Sequence, residues 1–200
     1  DRRYIGIIRE LASRVAEIAA LPVQEEKRDL WRKLNAKHAV RPLVMIDQIC
    51  WNEMNVNGEL TLCCEDSECR GYEGMLRRTL FRWEHFPVDM VVEPFIPVPK
   101  AVHNTGFGVT VEQEIAISDP TNSVRGHSYQ NQFQTEEDLQ KIKTPQVSHN
   151  LAETERRLAV AHDLFDGLLE VRSAGVDPYL SLWDPISTWM GVQNALFSLV

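Results

Sequence analysis

Residues 41–48 read RPLVMIDQ and residues 89–95 read DMVVEPF, and the fold turns on how these two stretches are taken. In each, a short apolar run closes on a carboxylate: Leu43 to Ile46 lead into Asp47, and Met90 to Val92 lead into Glu93 ahead of Pro94. An uninterrupted run of this length marks a strand covered on both faces, as in a parallel sheet. Helical patterns flank both. Ile8, Leu11, Ala12, Val15, Ile18 and Ala19 recur at steps of three and four, which predicts a helix over 4–21 with Pro22 as its stop. A more polar helix is expected over 25–35, carrying Leu30, Trp31 and Leu34. A long one is expected over 66–86, with Tyr72, Met75, Leu76, Leu80 and Trp83 as its apolar stripe and Arg70, Arg77, Arg78 and Arg82 mostly outside it.

Further on, Val109/Val111 and Ile115/Ile117 alternate as in a half-exposed strand. Asn150 with Glu153 three residues later forms a capping box for a helix running to about Leu169. GVDPYLSLWDP (175–185) reads as a third strand, and ISTWMGVQNALFSLV (186–200) as a last helix. Strands alternating with helices predict the α/β class, built from parallel βα units. Residues 119–150 are polar and too long for an ordinary connection, so they are expected to be an insertion or lid within a single domain spanning 1–200. TEEDLQKIK (135–143) reads as a short helix inside it, capped by Thr135.

With 29 acidic against 21 basic residues, the net charge of −8 argues against a nucleic-acid-binding face. No apolar run approaches the ~18 residues of a membrane span, and the N-terminal DRRYIGIIRELASR has no signal-peptide core. A cytoplasmic location, a small-molecule substrate and no membrane partner are the expectations. A Gly-rich phosphate loop, a GxSxG elbow and an HExxH helix are all absent from the sequence.

Several phrases together, RPLVMIDQICWNEMN, GELTLCCED, LRRTLFRWEHFPVDMVVEPFIPVP, TGFG and WDPISTWMGVQNAL, resemble the uroporphyrinogen-decarboxylase-like superfamily. The likeness is to a bacterial branch near the corrinoid-dependent methyltransferases. It implies a (β/α)8 TIM barrel with its site at the C-terminal ends of the strands. Such barrels need ~250 residues, so the chain is expected to hold the N-terminal part, a truncated barrel. The implied activity is methyl transfer involving a corrinoid protein or related methyl carrier. Decarboxylation of an acidic tetrapyrrole or other carboxylated substrate is the alternative, and a non-catalytic half-barrel that pairs as a homodimer is a third. Two departures stand out. DQICWNEM has no arginine where the decarboxylases carry RQAGR, and no His-x-Cys occurs for zinc. Zinc and a corrinoid would therefore belong to a longer protein.

Asp47, Glu93 and Asp184 each close an apolar run and are the candidate catalytic acids. For Asp47 the other role is a loop or cap hydrogen bond, for Glu93 an internal pair with an arginine, and for Asp184 a helix cap. Trp51 offers a flat wall for a planar ligand or a core contact, and Glu53 lies close by. His103 and Asn104 precede TGFG (105–108), whose glycines permit close backbone approach to a ligand or simply shape a loop. Trp183 adjoins Asp184, and His127, His149 and His162 are scattered. In CCEDSEC (63–69), Cys69 falls on the apolar stripe of the long helix, while the adjacent Cys63 and Cys64 point apart if extended. With no CxxC, the cluster reads as the start of a core helix rather than a metal site.

Overall fold

The computed structural model describes residues 2–86, 88–120, 125–176 and 181–199. The chain divides into two compact units: Asp1–Pro99 with Thr154–Ala174, and Lys100–Glu153 with Gly175–Val200. In the first, α1 (Arg2–Ala19) buries Tyr4, Ile8, Leu11, Ala12 and Val15, the stripe its periodicity predicts. It packs against α4 (Ser67–His85), which contributes Leu76 and Leu80 to the same core. Pro22 does not merely stop α1. It opens α2 (Pro22–Asn35), where its missing N–H has no helical partner to lose. Trp51–Met54 makes a single turn, α3.

Among the described residues, parallel pairing is confined to β1 (Phe95–Pro99) and β6 (Glu170–Ala174), in register Phe95↔Glu170 through Pro99↔Ala174. Ile96 and Val98 are buried in the core. The Glu170 N–H reaches the Pro94 carbonyl at 3.0 Å, which puts the even-numbered residues of β1 on the bonded edge. Pro97 and Pro99 therefore leave the opposite edge short of donors. Between β1 and β6 in sequence comes α5 (Leu151–Phe165), whose Ala161, Leu164 and Phe165 are core residues. Asn150 caps it through the Glu153 N–H at 3.0 Å, as the capping box predicts. It ends at Phe165, short of the expected Leu169, and the guanidinium of Arg9 closes it on the carbonyls of Leu164 and Asp166 at 3.0 and 3.2 Å.

The strand expected over 43–46 does not form. Residues 38–50 have no regular secondary structure, and Val44 and Met45 are 50% and 61% exposed. The physical reason is a side chain that takes the place of a ladder. The buried carboxylate of Asp89 accepts the Val44 N–H at 2.9 Å and pairs with both Nη atoms of Arg41, while the Asp89 N–H donates to the Val44 carbonyl at 3.1 Å. The second apolar run is displaced in the same way, and its strand begins only at Phe95. Before it, α2 grips the backbone with polar side chains. Lys27 Nζ donates to the Val88 carbonyl at 2.6 Å and Trp31 Nε1 to that of Asp89 at 2.7 Å, while buried Gln24 accepts the Val92 N–H at 2.9 Å.

The start of α4 is held by two carboxylates. Asp66 caps it, accepting from the N–H groups of Glu68 and Cys69 at 3.1 and 2.9 Å. Glu73, 0% exposed, accepts the N–H of Cys63 at 2.9 Å and of Cys64 at 2.8 Å, and the Nε of Arg77 one turn on at 2.8 Å.

In the second unit, β2 (Val102–Asn104) pairs antiparallel with β5 (Val147–His149), and β3 (Gln113–Ala116) with β4 (Gly126–Tyr129). The alternating strand around 109–117 thus narrows to 113–116. The expected short helix is a 3₁₀ turn, Glu136–Lys141, with the Thr135 N–H on the Asp138 carboxylate at 2.9 Å. Of the expected third strand, Asp177 to Leu180 lie outside the described residues. Trp183 opens α6 (Trp183–Met190). The last helix is broken at Gly191, with φ of 77° and a would-be Cβ 3.0 Å from the Tyr129 carbonyl, and resumes as α7 (Val192–Phe197). Among the described residues no helix is long and apolar enough to cross a membrane.

Burial pushes the Glu73 carboxyl up, but the Cys64 and Cys63 N–H groups and Arg77 outweigh it and hold it down at about 2, against an ordinary 4.5. The guanidinium of Arg41, then the Val44 N–H, hold Asp89 down at about 2 against 3.8. Both carboxyls titrate lower folded than unfolded. Their stabilisation is therefore present above about pH 4.5 and lost as the pH falls towards about 2. Thermal melts from pH 6 downward should show this loss. Glu73→Ala should cost about 3–5 kcal/mol at neutral pH by removing the ion pair of Arg77 and leaving two N–H groups unpaired, and its melts should vary less across the acid range than the wild type's.

Candidate functional site

One face of α4 lines a cleft of about 440 Å³ in the first unit, together with Asp47, Trp51 and Leu62. The helix supplies Arg70, Gly71, Gly74, Met75, Arg78, Thr79 and Arg82. Residues 70, 74, 78 and 82 follow one another at i, i+4, so they share a face. Gly71 leaves open space beside that face, while at Gly74 the missing side chain lets Leu62 pack close against the helix. Leu62 forms the facing wall, its Cδ2 lying 3.8 Å from where a Cβ on Gly74 would sit.

The three guanidinium groups are held differently. Arg70 donates through Nη1 to the Cys64 carbonyl at 2.8 Å and is fixed by it. Arg78 lies over the Trp51 indole at 5.1 Å, a cation–π contact that orients both groups. Arg82 makes no ion pair among the described residues, and its Nε is enclosed without a hydrogen-bond partner. A closed, unpartnered donor is costly to leave unmade. With Asp47 the one carboxylate on the lining, the cleft carries an excess of positive charge in a chain of net charge −8. Guanidinium forks bind carboxylate or phosphate oxygens in pairs, and a carboxylate opposite them can accept an N–H or O–H.

The structure thus brings Asp47 and Trp51 to one cleft. Glu53 is exposed on α3 and is not part of its lining. Glu93 precedes β1, at the N-terminal end of the strand rather than its C-terminal end, and pairs with Arg28 of α2 at 3.0 Å. An arginine partner is what its alternative reading expects, but the pair is partly exposed to solvent rather than internal. The remaining candidates lie in the second unit. His103 and Asn104 are exposed on β2, and Asn104 accepts the Gly106 N–H at 2.9 Å. TGFG packs on the chain itself. The Lys143 N–H meets the Phe107 carbonyl at 2.7 Å, and a Cβ on Gly108 would fall 2.6 Å from Lys143 Cγ. Asp184 sits in the first turn of α6 and accepts the Ser181 hydroxyl at 2.7 Å, while Trp183 begins that helix. His127 bonds Gln113 Oε1 at 2.8 Å, His149 ends β5, and His162 lies on the exposed side of α5. A second hollow of about 740 Å³, lined by Phe133, Leu139, Ile142, Ile186, Trp189 and Met190 among others, is mainly apolar.

From the sequence, Arg70, Arg78 and Arg82 are expected only to lie mostly outside the apolar stripe of this helix. The overlooked signal is the pair of glycines on the same face as the arginines. Glu59, Glu84 and His85 have donor atoms within 4.8 Å of one another. His85 Nε2 already bonds Glu59 at 2.9 Å, so the group reads as a hydrogen-bonded surface cluster. Cys64 is buried against Glu73, and burial first, then that carboxylate, push its thiol up to about 12. Compared with family models, curated proteins and solved structures, the chain finds no match.

Cys50 and Cys63 are exposed, Cys69 is half-buried with its thiol raised first by burial, and Cys64 is enclosed. Thiol titration of the folded protein near pH 8 should find Cys50 and Cys63 reacting first and Cys64 only on unfolding. Fast reaction of Cys64 would contradict its burial and raised thiol.

Proposed function

We propose that the first unit is an enzyme domain of the uroporphyrinogen-decarboxylase-like kind that holds a carboxylated small molecule in the cleft of Asp47, Trp51, Arg70, Arg78 and Arg82. The observation that carries the reading is a cleft lined by three arginines, a single carboxylate and an indole. Decarboxylases that carry RQAGR place arginine just after the first strand. Here α4 supplies the positive charge from another direction, which removes the main objection to a carboxylated substrate. Methyl transfer involving a corrinoid protein, the other activity the resemblance implies, does not call for such a grouping. The finer architecture we propose is a partial (β/α)8 barrel, with β1 and β6 as neighbouring strands joined through α5.

Loss of CO2 breaks a C–C bond and leaves on carbon an electron pair that must be protonated. Guanidinium groups on the departing carboxylate would stabilise the ground state, so the arginines serve best on the carboxylates that stay. Asp47 is the acid–base group of the cleft, placed to hold a substrate N–H or O–H and to shuttle the proton.

The reading is tested by equilibrium binding of benzene polycarboxylates, coproporphyrin and hydroxocobalamin, followed by tryptophan fluorescence with Trp51→Phe as control. Polycarboxylates should bind, weaken with salt, and lose tenfold or more in affinity in Arg78→Ala/Arg82→Ala. Asp47→Asn should retain them. Binding of hydroxocobalamin with no binding of polycarboxylates would overturn the assignment in favour of the methyl-transfer reading.

A further inference from the structure

We propose that the apolar hollow of the second unit is a binding site for an organic monocation, an amine carried on an aromatic or branched aliphatic body. Its walls come from two elements. Phe133, Leu139 and Ile142 line it from the 3₁₀ turn and its flanks, and Ile186, Trp189 and Met190 from α6. The last three stand at i, i+3 and i+4 and so share one face of that helix. The aromatic wall is set by its own contacts. Trp189 meets the Phe107 ring edge-on at 5.6 Å and the Phe133 ring at 6.0 Å, and its carbonyl accepts the Gln132 N–H at 2.8 Å. Rings fixed in this way lose little freedom when a ligand packs on them.

The charge on the lining selects the ligand. Glu136 is the one charged residue of the hollow among the described residues, and no cation lines it. Three acids follow one another at the start of the 3₁₀ turn, and they are used differently. Asp138 accepts the N–H groups of Gln134 and Thr135, each at 2.9 Å, and pairs with Lys141 at 2.8 Å. Glu137 accepts the Thr135 hydroxyl at 3.1 Å. Glu136 makes no hydrogen bond or ion pair among the described residues. Lys141 does not neutralise it, because its ammonium is occupied by Asp138 and by the Gln132 carbonyl at 2.8 Å.

The acid without a partner is thus the one that lines the apolar walls. A carboxylate in that position repels an acid and gives a neutral apolar molecule no ion pair. An ammonium group pairs with it, is drawn to the indole and phenyl faces, and leaves its carbon body against the aliphatic wall. Gln134 and Ser198, also on the lining, carry oxygens that can accept its remaining N–H groups.

Isothermal titration of the intact 200-residue chain with 2-phenylethylamine and with 2-phenylethanol, a neutral molecule of the same body, tests this. The amine should bind at least tenfold more tightly than the alcohol. Glu136→Gln should lower amine affinity tenfold or more and bring the two ligands level, while Glu137→Gln should change it less than threefold. Leu139→Lys, at a lining position 56% exposed, is the second variant: its ammonium competes for Glu136 and should also weaken the amine tenfold. Circular dichroism checks that these variants fold. The alcohol binding as tightly as the amine, or neither binding, would overturn the proposal. Amine affinity unchanged in Glu136→Gln and Leu139→Lys, or lost equally in Glu137→Gln and Glu136→Gln, would overturn the placement at Glu136 and the proposal with it.

Discussion

Glu73 is a fully buried carboxylate on the core side of α4, and much of the first unit is arranged around it. Burying such a charge is tolerable only if its oxygens are fully occupied. Here the N–H groups of Cys63 and Cys64 and the Nε of Arg77 occupy them. The same guanidinium reaches the Glu59 carbonyl at 3.0 Å, so one ion pair ties the loop of 59–64 to the middle of α4. With the loop fixed there, Cys64 enters the core, Leu62 becomes a wall of the cleft, and the Cys64 carbonyl is in place to hold Arg70. The cysteine-rich stretch 63–69 is thus a joint: its backbone feeds Glu73, and its Asp66 caps the helix.

The same device recurs across the unit. Asp89 satisfies Val44 and Arg41, and Gln24, Lys27 and Trp31 satisfy backbone groups of residues 88–92. Backbone donors and acceptors that a larger sheet would pair in ladders are met by side chains instead. These contacts explain why α2 is polar on a side that faces protein. They also explain why two apolar runs remain extended without becoming strands of one sheet.

What was legible in the sequence follows from range. α1, α4 and α5 were plain because a 3.6-residue stripe and a capping residue are local signals, and Asp66 and Asn150 sit where the helices begin. The run 43–46 misled because periodicity reports burial on average and carries no information on which partner satisfies the backbone. Asp89, forty-five residues from Val44, settles that. Glu73 could have been noticed: it interrupts the 69, 72, 76, 80 stripe, with Arg77 four residues on. Asp47 and Trp51, expected as a carboxylate and a wall, do share a cleft, but the cations that line it with them come from α4 and not from a strand end. Glu93 shares the sequence pattern of Asp47 yet pairs with Arg28, and an acid before a strand and an acid after one look alike in sequence.

The dependence of the joint on Glu73 is most directly measured by hydrogen exchange at the amides of Cys63 and Cys64. These belong to a loop yet should exchange as slowly as the core of α4 at neutral pH, and should speed up by orders of magnitude in Glu73→Ala while the amides of α1 change far less. Fast exchange of both amides in the wild-type protein, at the rate of an open loop, would contradict the account.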